Sequence, residues 1–501
     1  MSAFSEAART EALRTLTENG AAALKSTGCA LVDFFSTAGA LRNPNAGTRD
    51  AALGAREAAR ARVLFDRAWD EDPLRALKIL FYVRDVRGGL GERTVFRTLL
   101  RHAAEKAPDA VRRNLDLIPF YGRFDDWYAL RGTPVEADMW LAAKTRLTED
   151  TAALEAGRPV SLLAKWLATA DASSDKTRRL GIETALKLGM KVRDYKRLCR
   201  ALRRAASVVE PLMSAGRWTD IAYAGVPSRA MLQYRNAFLR HDGERFDAFV
   251  RETAAGRAAV HADTLFPYDI VEKYLSGGAA NEEERRLLEA QWKALPDYAG
   301  DRNILVMADV SGSMYGRPLA SSIGLALYFA ERSKGAFRNL FMTFSSDPAF
   351  VRAEGDTLYD RIMTAGNAGW GFSTNIEAAF AKILETALEH RVPPEEMPES
   401  LVIITDMQFD AGTMPSADSA TLHRSIARKY AEAGYRLPNT VYWNVASRRE
   451  SFQVSAGEAR VQLVSGQSAS TFRTVLAGTG LTPCGAMLLV IDGERYSPVT
   501  L

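Results

Sequence analysis

Histidine and cysteine are scarce in this chain of 501 residues, with five of the first and three of the second. Cys29, Cys199 and Cys484 are far apart and odd in number, so they form neither a zinc pattern nor a disulfide framework; that usage fits a reducing compartment. His102, His241, His261, His390 and His423 stand at no metal-ligand spacing, and no Ser/His/Asp arrangement can be read from them. A phosphate-loop signature is missing, and Gly312-Ser-Met-Tyr-Gly316 places its serine one position too early for a nucleophile elbow. Apolar runs fall short of the roughly 18 residues of a membrane span. The opening Met1-Ser-Ala-Phe-Ser-Glu6 carries an acid early and lacks a signal-peptide layout, so a cytoplasmic location is expected. Net charge is only +4, which removes global basicity as a sign of nucleic acid and leaves local patches as the place to look. Nothing here supports an enzyme.

What is present divides the chain in two. Composition is globular, with 47% hydrophobic and 25% charged residues, and the length calls for more than one domain. Residues 1–298 are rich in Ala, Leu and Arg at helical spacing, for example over 58–70, 73–83, 94–106 and 193–208, while β-branched runs are nearly absent. This reads as an α-helical region, a HEAT-like solenoid or ring, although no fixed-period repeat is present. Residues 299–501 alternate apolar strand candidates at 303–309, 340–344, 401–406, 440–445, 461–464 and 487–491 with helices at 318–333, 375–390, 421–433 and 468–478. A hairpin arm is expected at 349–353. The alternation predicts a doubly wound, mostly parallel sheet.

Two of these strands end in acid. Asn303-Ile-Leu-Val-Met-Ala-Asp-Val-Ser-Gly-Ser-Met314 places Asp309, Ser311 and Ser313 where an apolar run stops. Leu401-Val-Ile-Ile-Thr-Asp406 repeats the pattern, and Thr374 precedes the helix expected from about 375. Open α/β sheets bind ligands at the carboxyl ends of their strands. Two carboxylates and three hydroxyls are hard oxygen donors, suited to Mg²⁺ or Mn²⁺. Each element alone is an ordinary turn or cap; the combination in this order carries the expectation.

Asp309-Val-Ser-Gly-Ser313, Thr374 and Asp406 resemble the metal-ion-dependent adhesion site of von Willebrand factor A domains. The resemblance implies direct metal contact from Ser311 and Ser313, contact direct or through water from Thr374, Asp309 and Asp406, and a role in docking partners rather than in catalysis. Further strings, Arg84-Asp-Val-Arg-Gly-Gly-Leu-Gly-Glu-Arg93, Tyr121-Gly-Arg-Phe-Asp-Asp-Trp127, Val226-Pro-Ser-Arg-Ala230, Trp370-Gly-Phe-Ser-Thr-Asn375 and Thr405-Asp-Met-Gln-Phe-Asp410, resemble an uncharacterised family of plant, bacterial and phage proteins. That family joins a helical amino-terminal region to a carboxyl-terminal A domain, and is similar in architecture to the TROVE family of the Ro autoantigen. Gln408 departs from the pattern, where an acid is more usual.

One stretch of the helical half is strongly basic. Between Asp175 and Arg204 the candidates for RNA contact are Lys176, Arg178, Arg179, Arg193, Lys196, Arg197, Arg200, Arg203 and Arg204. From Arg193 onward, Tyr195, Leu198, Cys199, Leu202 and Ala206 form an apolar stripe at helical period, which leaves the cations as a ridge on the other side. Arginine forks suit phosphates. A charge run is more often a solvated face, and Trp127, Trp166 and Trp218 are expected to pack between helices rather than to stack bases. Gly88, Gly89 and Gly91 are expected to make a tight interhelical turn. Together with the Ro-like resemblance, these features imply a non-catalytic scaffold for small structured or non-coding RNA with a Mg²⁺-dependent docking site. The alternative is a module that captures an acidic protein partner through the metal, without RNA; metal-dependent hydrolysis ranks last. Neither a membrane nor sequence-specific DNA is expected as a partner.

Overall fold

The computed structural model describes residues 12–41, 51–206, 209–255, 257, 265–277, 281–299, 302–334, 336–343, 347–367, 374–410, 421–447, 449–468 and 471–501. The string Trp370 to Ser373 lies outside them. Among the described residues no helix is long and apolar enough to cross a membrane.

The chain is an α-helical region followed by a doubly wound α/β domain. Two short strands, β1 (Arg14–Leu16) and β2 (Ala22–Leu24), pair antiparallel near the amino terminus. Helices then dominate up to Glu282–Lys293. Among its described residues the domain that follows has six strands: β3 (Ile304–Ala308), β4 (Leu340–Thr343), β5 (Ala349–Arg352), β6 (Ser400–Thr405), β7 (Asn439–Asn444) and β8 (Val461–Ser465). Their order is β5-β4-β3-β6-β7-β8, with only β5 antiparallel to its neighbour. Every residue of β3, β6, β7 and β8 is buried, the mark of a parallel sheet covered on both faces.

Side chains alternate between those faces. Leu305 and Met307 of β3 join one core with the helices Ile376–Glu389 and Leu422–Glu432. Ile304, Val306 and Ala308 face the helix Arg317–Arg332, and behind it lies Pro267–Leu275. A methyl on Gly324 would come within 3.0 Å of the Pro267 backbone, so the two helices meet where that glycine leaves room.

Two expectations are corrected. The run at 487–491 is a helix, Pro483–Ile491, not a strand; Thr482 caps it through a bond from Gly485 N, and Pro483 occupies its first turn. A short apolar run has the same pattern whether it becomes a buried strand or a buried helix. The amino-terminal hairpin is the second, since that part of the chain reads as helical.

The core does not divide at residue 298. The helix Ala30–Thr37 shares a hydrophobic cluster with Tyr82 and with Leu463 of β8. A methyl on Gly39 would meet the Gly466 backbone at 2.9 Å and Leu90 at 2.8 Å, so three parts of the chain close on that glycine. The carboxyl terminus crosses back the other way: Tyr496 Oη donates to Asp85 at 2.9 Å, Arg495 Nη2 donates to Asp85 at 2.7 Å, and Tyr496 stacks on Tyr121 at 5.4 Å.

The strings 84–93 and 121–127 meet in this junction. Arg84, 2% exposed, donates to Asp126 at 2.6 Å, and Arg97 holds the other carboxylate oxygen at 2.6 Å. Gly122 has no room for a methyl, which would lie 2.4 Å from Asp126. Gly88, Gly89 and Gly91 form the interhelical turn. The Gly89 and Gly91 N–H groups are spent on the Asp85 carbonyl, at 3.2 and 3.1 Å.

Two stability outcomes follow. Asp126→Ala leaves Arg84 buried with its charge uncompensated and is expected to cost about 3–5 kcal/mol in denaturant unfolding. Gly39→Ala is expected to cost about 1–3 kcal/mol by overpacking. Wild-type stability in either variant contradicts this junction.

Candidate metal centre and cationic cavity

β3 and β6 run parallel in register, Ala308 beside Ile404, so their chain ends arrive together. Asp309 and Asp406 follow those ends, and both are fully buried. Asp309 Oδ1 accepts from Ser311 N at 2.9 Å, and Oδ2 accepts from Thr405 Oγ1 at 2.7 Å. Ser311 Oγ and Ser313 Oγ stand 3.0 Å apart in the loop that leads into the helix Arg317–Arg332. Burial, and then the charge of Asp406, pushes the Asp309 carboxyl up to about 6. Two adjacent buried carboxylates repel when both are ionised, and a cation relieves that repulsion.

Thr374 belongs to a neighbouring knot. Its N–H donates to Asp410 Oδ2 at 2.5 Å, and its hydroxyl donates to Gln408 O at 2.6 Å. Met407 turns the chain with a positive φ of 65°, unusual for a side chain with a Cβ, and so folds 408–410 back toward Thr374. Asn375 then caps the helix Ile376–Glu389 by accepting from Ala378 N at 2.9 Å. Asp309, Ser311, Ser313 and Asp406 thus lie at and just after the ends of two paired strands, and Thr374 is hydrogen-bonded to the loop that follows Asp406. Among the described residues no three or more His, Cys, Asp and Glu are grouped to hold a metal ion, so the donor set here is carboxylate plus hydroxyl. That composition fits Mg²⁺ or Mn²⁺.

Asp410, Gln408 and Asn19 hold Thr374 against the loop after Asp406. Asp410 and Gln408 stand in a string noted in the sequence, but with no contact assigned to them. Asn19 donates to Gln408 O at 2.8 Å and to Thr374 Oγ1 at 3.3 Å from a segment 355 residues away from Thr374, and the sequence carries no signal for it.

The basic helix is Val192–Ala205, with Tyr195, Cys199 and Leu202 buried as the stripe requires. It forms part of the wall of a cavity of about 1320 Å³, also lined by the 84–93 turn, Trp166, Arg229, Phe266, Tyr268 and Arg317. Among the described residues eleven Lys and Arg line it against three acids, Glu92, Asp171 and Glu210. The ridge divides. Lys196, Arg200, Arg203 and Arg204 line the cavity, whereas the side chains of Arg193 and Arg197 are 86% and 81% exposed and are not among its lining. Lys176, Arg178 and Arg179 are not in the lining either, and Asp175 pairs with Arg178 at 2.5 Å and Arg179 at 2.7 Å. Arg203 is spent on the carbonyls of Ala164 and Leu167, at 2.7 and 3.0 Å. Asp171 partly neutralises Lys196 at 3.1 Å and Arg200 at 3.8 Å.

The tryptophans separate as well. Trp127 packs in the core and donates to Leu115 O at 3.0 Å, as expected. Trp166 instead reaches the cavity wall, with the Arg123 guanidinium 4.0 Å and Lys165 Nζ 5.5 Å from its ring centre. On another part of the wall Arg229 lies 5.1 Å from the Phe266 ring and Arg317 lies 5.3 Å from the Tyr268 ring.

Asp406→Asn removes the like charge beside Asp309. It is expected to raise the melting temperature of the metal-free protein at pH 8 by about 1 °C, the shift that about 1 kcal/mol gives in a chain of this length. Added Mg²⁺ then has no further effect on the variant. An unchanged or lowered metal-free melting temperature counts against the carboxylate pair.

Comparison with known proteins places this chain among uncharacterised relatives. A model described as Domain of unknown function (DUF2828) matches residues 17–120 and 160–298, and a second, Domain of unknown function (DUF7788), matches residues 303–484. The Uncharacterized protein L728 of Acanthamoeba polyphaga mimivirus is 26% identical over 97% of this chain and 88% of its own length. The crystal structure of Deinococcus radiodurans RO (RSR) protein aligns with 94% of this chain and 100% of its own, at a TM-score of 0.46 and 15% identity.

Proposed function

We propose that this protein is a non-catalytic scaffold that binds RNA in its cationic cavity and docks a second partner through a divalent cation at the strand ends of its α/β domain. The observation that carries the first part is the cavity lining, in which eleven cations face three acids and aromatic rings stand beside Arg123, Arg229 and Arg317. Phosphates are drawn to such a wall, and aromatic faces paired with cations suit unpaired bases. Small non-coding RNA with single-stranded ends or loops fits both features.

In the second part, Ser311, Ser313, Asp309, Asp406 and Thr374 would hold Mg²⁺ or Mn²⁺. When bound, the ion would offer an open position to an acidic side chain of a partner. Tyr315, 88% exposed and two residues from Ser313, supports the docking reading, because exposed aromatics beside a polar site commonly anchor partners. The same feature favours the second reading, a metal-dependent protein-binding module without RNA.

Charge reversal separates the two. Lys196→Glu, Arg200→Glu and Arg204→Glu together are expected to weaken binding of a single-stranded oligoribonucleotide at least tenfold at moderate salt and to flatten its salt dependence. Arg193→Glu with Arg197→Glu, on the outward edge, is expected to change affinity less than threefold. RNA affinity unaffected by the cavity triple removes RNA from this cavity and leaves the protein-binding module.

A further inference from the structure

The loop after Asp406 is held by residues near the amino terminus. The loop between β1 and β2 is tightly built: Thr17 N donates to Ala21 O at 2.8 Å, Ala21 N donates to Thr17 Oγ1 at 2.9 Å, and Gly20 takes a positive φ of 90° that favours glycine. The base of the hairpin is fastened by reciprocal bonds between Leu24 and Phe452, both 2.8 Å. Its tip is fastened to the loop after Asp406. Thr17 Oγ1 donates to Phe409 O at 2.5 Å, Glu18 N donates to Gln408 Oε1 at 2.8 Å, and Gly20 bridges to Asp410.

Asn19 is the residue of this tip that reaches Thr374. Its amide donates both to Gln408 O at 2.8 Å and to Thr374 Oγ1 at 3.3 Å. A hydroxyl has one proton to give and two lone-pair directions. Thr374 gives its proton to Gln408 O at 2.6 Å, with Asp410 Oδ1 at 3.3 Å as a competing acceptor. The bond from Asn19 takes one lone-pair direction and fixes the rotor. Among the described residues no other donor reaches this oxygen, so one direction is left for a cation. Gln408 completes the arrangement, since its carbonyl collects Asn19 and Thr374 while its side chain accepts the Glu18 N–H. Gln408, which departs from the pattern noted in the sequence, receives the hairpin together with Phe409 and Asp410.

We propose that Asn19 is a positioning residue of the metal site, acting through Thr374, so that the amino-terminal hairpin is a built-in part of that site. This inference rests on the metal reading given above. Partners that hydrogen-bond to a ligand side chain orient it, and their loss costs about 10–100-fold in metal affinity. Asn19 is exposed, which sets the expectation at the lower end of that range.

The test is a titration of the full-length chain with Mn²⁺, followed by electron paramagnetic resonance, on wild type, Asn19→Ala, Asn19→Asp and Asp309→Ala, with metal-free melting curves alongside. The wild type is expected to bind, Asp309→Ala to lose binding, and both Asn19 variants to weaken it about tenfold while melting like the wild type without metal. If Asn19→Ala melts lower, Asn19→Asp, of the same size but with no amide to donate, decides. Wild-type affinity in the Asn19 variants with binding lost in Asp309→Ala overturns the role of Asn19 and leaves the metal site standing. Equal binding by Asp309→Ala and wild type overturns the metal site and the inference with it.

Discussion

Asp85 is a fully buried carboxylate on which the two halves of the chain are pinned. It accepts from Arg87 N at 2.9 Å and Gly88 N at 3.1 Å within its own turn, and from Arg495 and Tyr496 at the far end of the sequence. A buried charge is tolerated only when it is paired and its lone pairs are satisfied, so the turn and the carboxyl terminus are obliged to meet. Arg84 extends the pin to Asp126, and Asp126 accepts in turn from Arg123 N at 2.9 Å. The turn from Arg84 to Arg93 supplies a wall of the cavity, which therefore depends on this junction for its shape. The glycines of this turn are consumed in holding Asp85 and in letting Arg495 approach, since a methyl on Gly88 would lie 2.4 Å from its Nε.

Much of this fold is legible in the sequence where burial is uniform and local. β3 and β6 read clearly because their apolar runs end in acid. The helix Val192–Ala205 read clearly because its stripe and its cations separate at a period of 3.6. The helix at 483–491 was not legible as such, because Met487-Leu-Leu-Val-Ile491 has no period and only Thr482-Pro483 marks a helix start. The hairpin at 14–24 escaped because each arm is three residues long and is held by distant partners rather than by its own pattern.

The candidate sites divide the same way. Asp309, Ser311, Ser313 and Asp406 announce themselves by position at strand ends, a property of the local chain. Asn19 does not, since its contact with Thr374 joins positions 355 apart in the sequence. In the basic helix, sequence sets which residues are exposed but not toward what. Lys196, Arg200 and Arg204 face the cavity, while Arg193 and Arg197, on the same ridge, do not line it. Trp166 shows the opposite limit. It reads as an ordinary packing residue until Arg123 and Lys165 are found against its ring at the cavity wall.

One helix, Arg317–Arg332, connects the two candidate sites. Arg317 lines the cavity and begins the helix that follows Ser313, so the loop carrying the hydroxyls leads directly into the cavity wall. The central claim is that RNA enters this cavity, and photocrosslinking tests it most directly. A single-stranded oligoribonucleotide carrying 4-thiouridine would be irradiated with the full-length protein, and the attached peptides identified by mass spectrometry. The account predicts attachment at peptides containing Trp166 or Phe266 and Tyr268, lost on competition with unlabelled RNA. Attachment confined to the outward face around Arg193 and Arg197, or to the α/β domain away from Arg317, would contradict it.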